Sequence, residues 1–131
     1  MIVTVANRQR AHKVNVARLK QLAGASGLNF KSLSIVLVGD VAMARMNLRY
    51  HATPGTTDIL TFDYGEGQGE LIICVDRAVA QARQFRSTPA RELALYVVHG
   101  ILHLRGYDDR TPAQQRSMRA AERRLLAQVR S

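Results

Sequence analysis

The segment His99-Gly-Ile-Leu-His103-Leu-Arg-Gly106-Tyr-Asp-Asp109 carries metal-ligating side chains at the spacing of a three-ligand site that leaves a fourth position open. The run before it, Arg91-Glu-Leu-Ala-Leu-Tyr-Val-Val, has no Gly or Pro and predicts a helix. His99 and His103 then share one helical face, where two imidazoles one turn apart can chelate one divalent ion. Gly106 tolerates positive φ, so it can end the helix and turn the chain back toward the metal. The turn delivers Asp109.

The spacing H-x3-H-x2-G-x2-D matches the H-E-x-x-H-x-x-G-x-x-H pattern of metzincin metalloproteases at every ligand position, with Asp109 as the third ligand. Asp108 competes for that place, but it falls one residue short and is better placed to orient an imidazole from behind. The protease pattern also needs a Glu directly after the first His as general base. Position 100 is Gly, which disfavours peptide hydrolysis by that mechanism. Nitrogen and carboxylate ligands in an open arrangement suit zinc, which would lower the pKa of a bound water and polarise a phosphoryl or carbonyl oxygen. Asp in place of His hardens the site, so manganese or another first-row divalent ion is the second choice.

These residues, H-G-I-L-H-L-R-G-Y-D-D, resemble the H-G-x-L-H-L-x-G-Y-D-H signature of the YbeY family of bacterial endoribonucleases and rRNA maturation factors. Met46-Asn-Leu-Arg-Tyr-His51 is similar to the family's L-N-x-x-Y-R segment, Gly55-Thr-Thr-Asp-Ile-Leu-Thr-Phe62 to its P-T-D-V-L-S-F segment, and Gly69-Glu-Leu-Ile-Ile-Cys74 to its G-D-I-x-I strand. The likeness runs from about Leu33 to Gln128 in the family's order. It implies a metal-dependent, single-strand-specific RNA hydrolase acting on the 3′ end of 16S rRNA and in quality control of the small ribosomal subunit, with zinc on His99, His103 and Asp109. It also implies a mixed four-stranded sheet with helices, and places Thr56, Thr57 and Asp58 beside the metal.

Three departures touch that site: Asp109 replaces the third His, His51 the Arg after the Tyr, and Glu70 the strand Asp. An Asp ligand adds negative charge, and losing the Arg removes a bidentate phosphate clamp. His51, as imidazolium beside a phosphate, could serve as donor or general acid, and is the candidate catalytic residue. Its alternative role is a solvated residue at a helix end.

A formal net charge of +9 attracts phosphate, and Arg outnumbers Lys, which favours bidentate phosphate contacts and stacking on bases. Arg45, Arg49, Arg83, Arg86 and Arg105 could line a groove that leads single-stranded RNA to the metal. Two function classes remain: a metal-dependent endoribonuclease, and a ribosome-assembly or RNA-binding factor whose metal is mainly structural.

With 131 residues and 47% hydrophobic content, one α+β domain over 1–131 is expected. The reading gives strands at 1–6, 33–38, 58–63 and 70–75, joined by helices near 11–24, from an Asp40 cap to about Tyr50, and from an Asp76 cap to about Phe85. Ser87-Thr-Pro89 opens the motif helix, and Thr111-Pro112 opens a last helix to about Val129. The glycines from Gly65 to Gly69 lack the Lys-Ser/Thr of a nucleotide loop and read as a hairpin link, so no nucleotide cofactor is expected. No apolar run approaches the roughly 20 residues of a membrane span. A lone cysteine, Cys74, reads as a small buried hydrophobe in a strand, and its lack of a disulfide partner fits a reducing cytoplasm.

Overall fold

In the computed structural model, which describes residues 2–25 and 30–128, the elements run β1 (Ile2–Asn7), α1 (Val16–Ala25), β2 (Ser32–Val38), α2 (Asp40–His51), β3 (Ile59–Gly65), β4 (Gln68–Cys74), α3 (Val75–Gln84), α4 (Pro89–Leu104) and α5 (Pro112–Gln128). The strands form one mixed sheet in the order β1-β2-β4-β3, with β1, β2 and β4 parallel and β3 antiparallel to β4. This is the expected α+β architecture. Glu66 and Gly67 form the β3–β4 turn, both at positive φ, as a two-residue hairpin matched to strand twist requires. The link is therefore shorter than the 65–69 expected, and Gly69 lies within β4.

Toward their C-terminal ends the central strands are apolar on both faces because both are covered there. Leu33, Ile35 and Leu37 of β2 and Leu71 and Ile73 of β4 join α1, α3, α4 and α5 in one core. Val36, Val38, Ile72 and Cys74 point the other way, onto Met43 of α2 and Leu60 of β3. Cys74 is buried in the strand as expected. Helix α4 lies so close to the sheet that a Cβ on Gly100 would stand 2.6 Å from Ile59 Cδ1 and 2.7 Å from Leu71 Cδ2.

Capping decides where the expected boundaries shift. Helix α1 begins at Val16 rather than near 11, because the Gln9 side chain bonds the His12 backbone in a turn and Asn15 Oδ1 accepts from Arg18 N, a cap four residues later. Asp40 and Asp76 do not cap the helices they open, which have Gly39 and Cys74 at their N-caps. Instead Asp76 Oδ2 accepts from Asp40 N at 2.8 Å, so one helix's carboxylate closes the start of the other. Thr88 caps α4 from Arg91 N with Pro89 in the first turn, and Thr111 Oγ1 accepts from Gln114 N at the start of α5, both as expected. The expected end of α5 at Val129 and the start of the first strand at Met1 lie outside the described residues.

Candidate metal centre

Position and direction of the histidines follow from α4, whose Leu93, Tyr96, Val97, Ile101 and Leu102 are locked in the core while His99 and His103 emerge one turn apart on its rim. The helix closes with Gly106 N on His103 O and Tyr107 N on Leu102 O, both at 3.0 Å, and with Gly106 at φ 98°. That pair of bonds is the Schellman closure, with Tyr107 packed against the core. The expected glycine stop is thus realised, and the chain reverses to bring Asp109 beside the two rings. Gln115 of α5 secures the turn by donating to the Asp109 carbonyl at 3.0 Å.

The three side chains converge. His99 Nε2 and His103 Nε2 are 3.0 Å apart, and Asp109 Oδ2 is 3.8 Å from each. Zinc bonds of about 2.0–2.2 Å at tetrahedral angles set donor atoms roughly 3.3–3.5 Å apart, so this triangle of two nitrogens and one oxygen fits such an ion with small adjustments. The side chains are 31%, 28% and 47% exposed, so the centre opens to solvent on one side, where a substrate could enter.

Behind His99 stands a residue the sequence reading missed. Glu122 Oε1 of α5 lies 2.9 Å from His99 Nδ1 and is largely buried. A carboxylate only accepts, so Nδ1 carries the hydrogen and Nε2 turns its lone pair toward His103 and Asp109. The hydrogen bond to Glu122 raises the His99 pKa above the ordinary histidine value; burial opposes it, and the charges of Glu122, Asp109 and Asp58 reinforce it. The orienting role expected of Asp108 is corrected: its Oδ1 accepts from Asp109 N at 2.8 Å and its Oδ2 pairs with Arg110 at 3.3 Å. The signal for Glu122 was available. It is the lone acid in α5, four residues after Met118 and three before Leu125, both buried, hence on the inward stripe.

The other candidates scatter. His51 ends α2 in solvent, on the opposite face of the sheet from α4, and its ring sits 6.4 Å from that of Phe62 rather than against the trio. Asp58 is near enough for its charge to raise His99. Thr57 donates to Asp58 at 3.4 Å, whereas Thr56 turns away to Asp40 Oδ1 at 3.2 Å.

Asp40, Cys74 and Asp76 form a second group of possible ligands. Its members serve one another: the Cys74 thiol donates to Asp40 Oδ1 at 3.3 Å, and Asp76 takes Asp40 N and His12 Nε2. Burial pushes the Cys74 thiol up to about 11, so it keeps its proton. A cavity of about 930 Å³ lies away from the trio, among α1, the start of α4 and α5, lined by Leu19, Leu22, Leu93 and Leu126 with Arg18 and Arg123.

Residues 3–130 match the family model described as Endoribonuclease YbeY. A Frankia alni protein named Endoribonuclease YbeY is 36% identical over 97% of this chain and 82% of its own length. One of that name from Geobacter metallireducens is 33% identical over 97% of this chain and 95% of its own, and one from Phocaeicola vulgatus 35% over 85% and 83%. A Thermotoga maritima protein solved in solution superposes with a TM-score of 0.69 at 23% identity, covering 98% of this chain and 89% of its own, which establishes the shared fold.

Proposed function

The chain belongs to the YbeY endoribonuclease family, and on that premise we propose that it is a metal-dependent endoribonuclease cutting single-stranded RNA at a centre formed by His99, His103 and Asp109. The observation that carries this reading is the convergence of three ligand atoms within 4.8 Å of one another, with Glu122 behind one of them. Relatives named as endoribonucleases support RNA as the substrate. Zinc is the metal we assign, from the two imidazoles and one carboxylate; bound there, it supplies Lewis acidity toward the scissile phosphodiester and the attacking water.

The chain's own residues have separate tasks. Glu122 fixes the tautomer and rotation of His99. Asp109 completes the ligand set and adds a negative charge that a third imidazole would not, which Arg105 on the adjoining turn offsets toward an incoming phosphate. Gly100 supplies no general base, consistent with phosphodiester rather than peptide chemistry. His51, across the edge strand, is assigned to a phosphate of the bound strand as a hydrogen-bond donor, a task its solvent exposure allows.

We assign the activity to residues 1–131 acting as one domain, to maturation of the 16S rRNA 3′ end and small-subunit quality control, and to the cytoplasm. A buried, protonated free thiol at Cys74 supports the reducing compartment, and no helix among the described residues is long and apolar enough to cross a membrane.

The test is cleavage of a synthetic RNA spanning the small-subunit rRNA 3′ end by the metal-loaded protein. Cuts should vanish with a chelator, return with zinc, and be absent from His103→Ala. RNA binding without cleavage in both proteins would favour an assembly factor whose metal is structural, and cleavage indifferent to both chelator and mutation would refute the proposed centre.

A further inference from the structure

Helix α2 is the lone helix on its face of the sheet among the described residues, and it covers only the half where Val36, Val38, Ile72 and Cys74 pack on Met43. On the other half, Ser34 and Glu70 replace apolar residues, and aromatic rings gather along the β3 edge. Phe62 and Tyr64 lie with centroids 6.3 Å apart and planes 7° from parallel, and Tyr50 of α2 stands edge-on to Phe62 at 5.4 Å. The Arg49 guanidinium carbon is 5.5 Å from the Tyr50 ring centre. Tyr50 and Tyr64 are nonetheless 54% and 61% exposed.

This exposed aromatic surface is held in place. The Tyr64 hydroxyl donates to Glu70 Oε1 at 2.7 Å, and the Ser34 hydroxyl donates to the other Glu70 oxygen at 3.2 Å. The register of β3 against β4 shifts between Asp63 and Gly65, and such a bulge re-aims the residue within it, here Tyr64. Fixed rings standing in water are a poor use of apolar area unless something flat covers them. Bases of single-stranded nucleic acid stack on sheet-borne aromatics in this way, while Arg side chains hold the backbone. Arg45 and Arg49 supply that charge, one turn apart and both exposed on α2.

We propose that this open half of the sheet is a base-stacking platform for single-stranded RNA, with Tyr50, Phe62 and Tyr64 taking bases and Arg45 and Arg49 taking phosphates. It rests on the RNA reading above and adds a surface to it. The platform and the motif helix lie on opposite faces of neighbouring strands: a Cβ on Gly69 of β4 would meet Leu104 of α4 at 2.8 Å and the Phe62 carbonyl of β3 at 3.6 Å.

The test is fluorescence anisotropy of a labelled oligouridylate of about 12 nucleotides, with EDTA present so that binding is read without cleavage. Tyr64→Ala and Tyr50→Ala should each weaken binding by roughly fivefold to a hundredfold with an unchanged salt slope, whereas Tyr64→Phe, which keeps the ring and loses only its hydrogen bond to Glu70, should weaken it by less than Tyr64→Ala. Arg49→Gln should lower the salt slope by about one. The chain has no Trp, so RNA should also quench the wild-type tyrosine emission, and less so in Tyr64→Phe/Tyr50→Phe/Phe62→Ala, where the exposed tyrosines are gone. Wild-type affinity in both Ala variants would overturn the platform while leaving the RNA reading intact. Absence of binding by the wild type at low salt would overturn both. Self-association that Tyr64→Ala abolishes, with RNA affinity unchanged, would assign the face to a second copy and overturn the proposal.

Discussion

A methyl group at Gly100 has no room, and Gly100→Ala measures how tightly the helix that carries His99 and His103 is pressed on the sheet. The added Cβ would stand 2.6 Å from Ile59 Cδ1 and 2.7 Å from Leu71 Cδ2. Carbon atoms settle at about 3.5–4.0 Å, so the neighbours or the helix must yield by about 1 Å. Leu71 is fully buried in a densely packed core and has nowhere to move. Ala gains about 1 kcal/mol of helix propensity over Gly, while overpacking costs about 1–3 kcal/mol, toward the upper end when two side chains are struck. The net is a loss of about 1–2 kcal/mol, which for a chain of 131 residues lowers Tm by about 4–7 °C. Thermal unfolding of the metal-free protein reads it. Adding Ile59→Val, which deletes the atom in closest approach, should recover part of the loss, and zinc affinity should fall because α4 carries both histidines. A Tm at or above wild type for Gly100→Ala would refute the close helix–sheet contact and with it the reason for glycine at this position.

Three further outcomes follow from other contacts. Glu122→Ala should weaken zinc binding by about 10–100-fold, read by competition with a chelating dye, and Glu122→Gln by less because its amide oxygen still accepts; unchanged affinity in the Ala variant would remove Glu122 from the centre. Asp76→Ala should cost about 0.5–2 kcal/mol by baring the start of α2, seen in urea unfolding, with Asp76→Asn close to wild type. Cys74, shifted from 9.0 to about 11, should react with iodoacetamide at pH 8 at least about 100-fold more slowly in the native protein than in the unfolded chain. Because its folded pKa is the higher one, the associated stability is fully present below pH 9.0 and declines as pH rises toward about 11, a decline that Cys74→Ala should reduce.

Much of the frame was legible because its signals are local. Thr88-Pro89 starts the motif helix, Gly106 stops it, and the apolar runs of β2 and β4 announce buried strands, all within a few residues of the structure they produce. What escaped depends on partners far along the chain. Asp76 looks like the cap of its own helix, and only the sheet order that sets β2 beside β4 reveals that it serves Asp40. Asp108 is adjacent to the motif and so attracts the orienting role, yet Glu122 fills it from α5, across a packing contact that spacing cannot report. Gly100, read from sequence as a missing general base, proves to be a packing requirement. His51 falls on the far face because helix α2, unlike α4, packs on the side of Cys74.

Metal content is the most direct measurement on the proposed centre: elemental analysis of wild type, His99→Ala, His103→Ala and Asp109→Ala after zinc is supplied and excess removed. Asp108→Asn serves as control, since it keeps an acceptor for Asp109 N. About one zinc per chain is expected in wild type and control, and little or none in the three variants. A wild type that retains no stoichiometric metal, or three variants that retain it in full, would contradict a centre built on His99, His103 and Asp109.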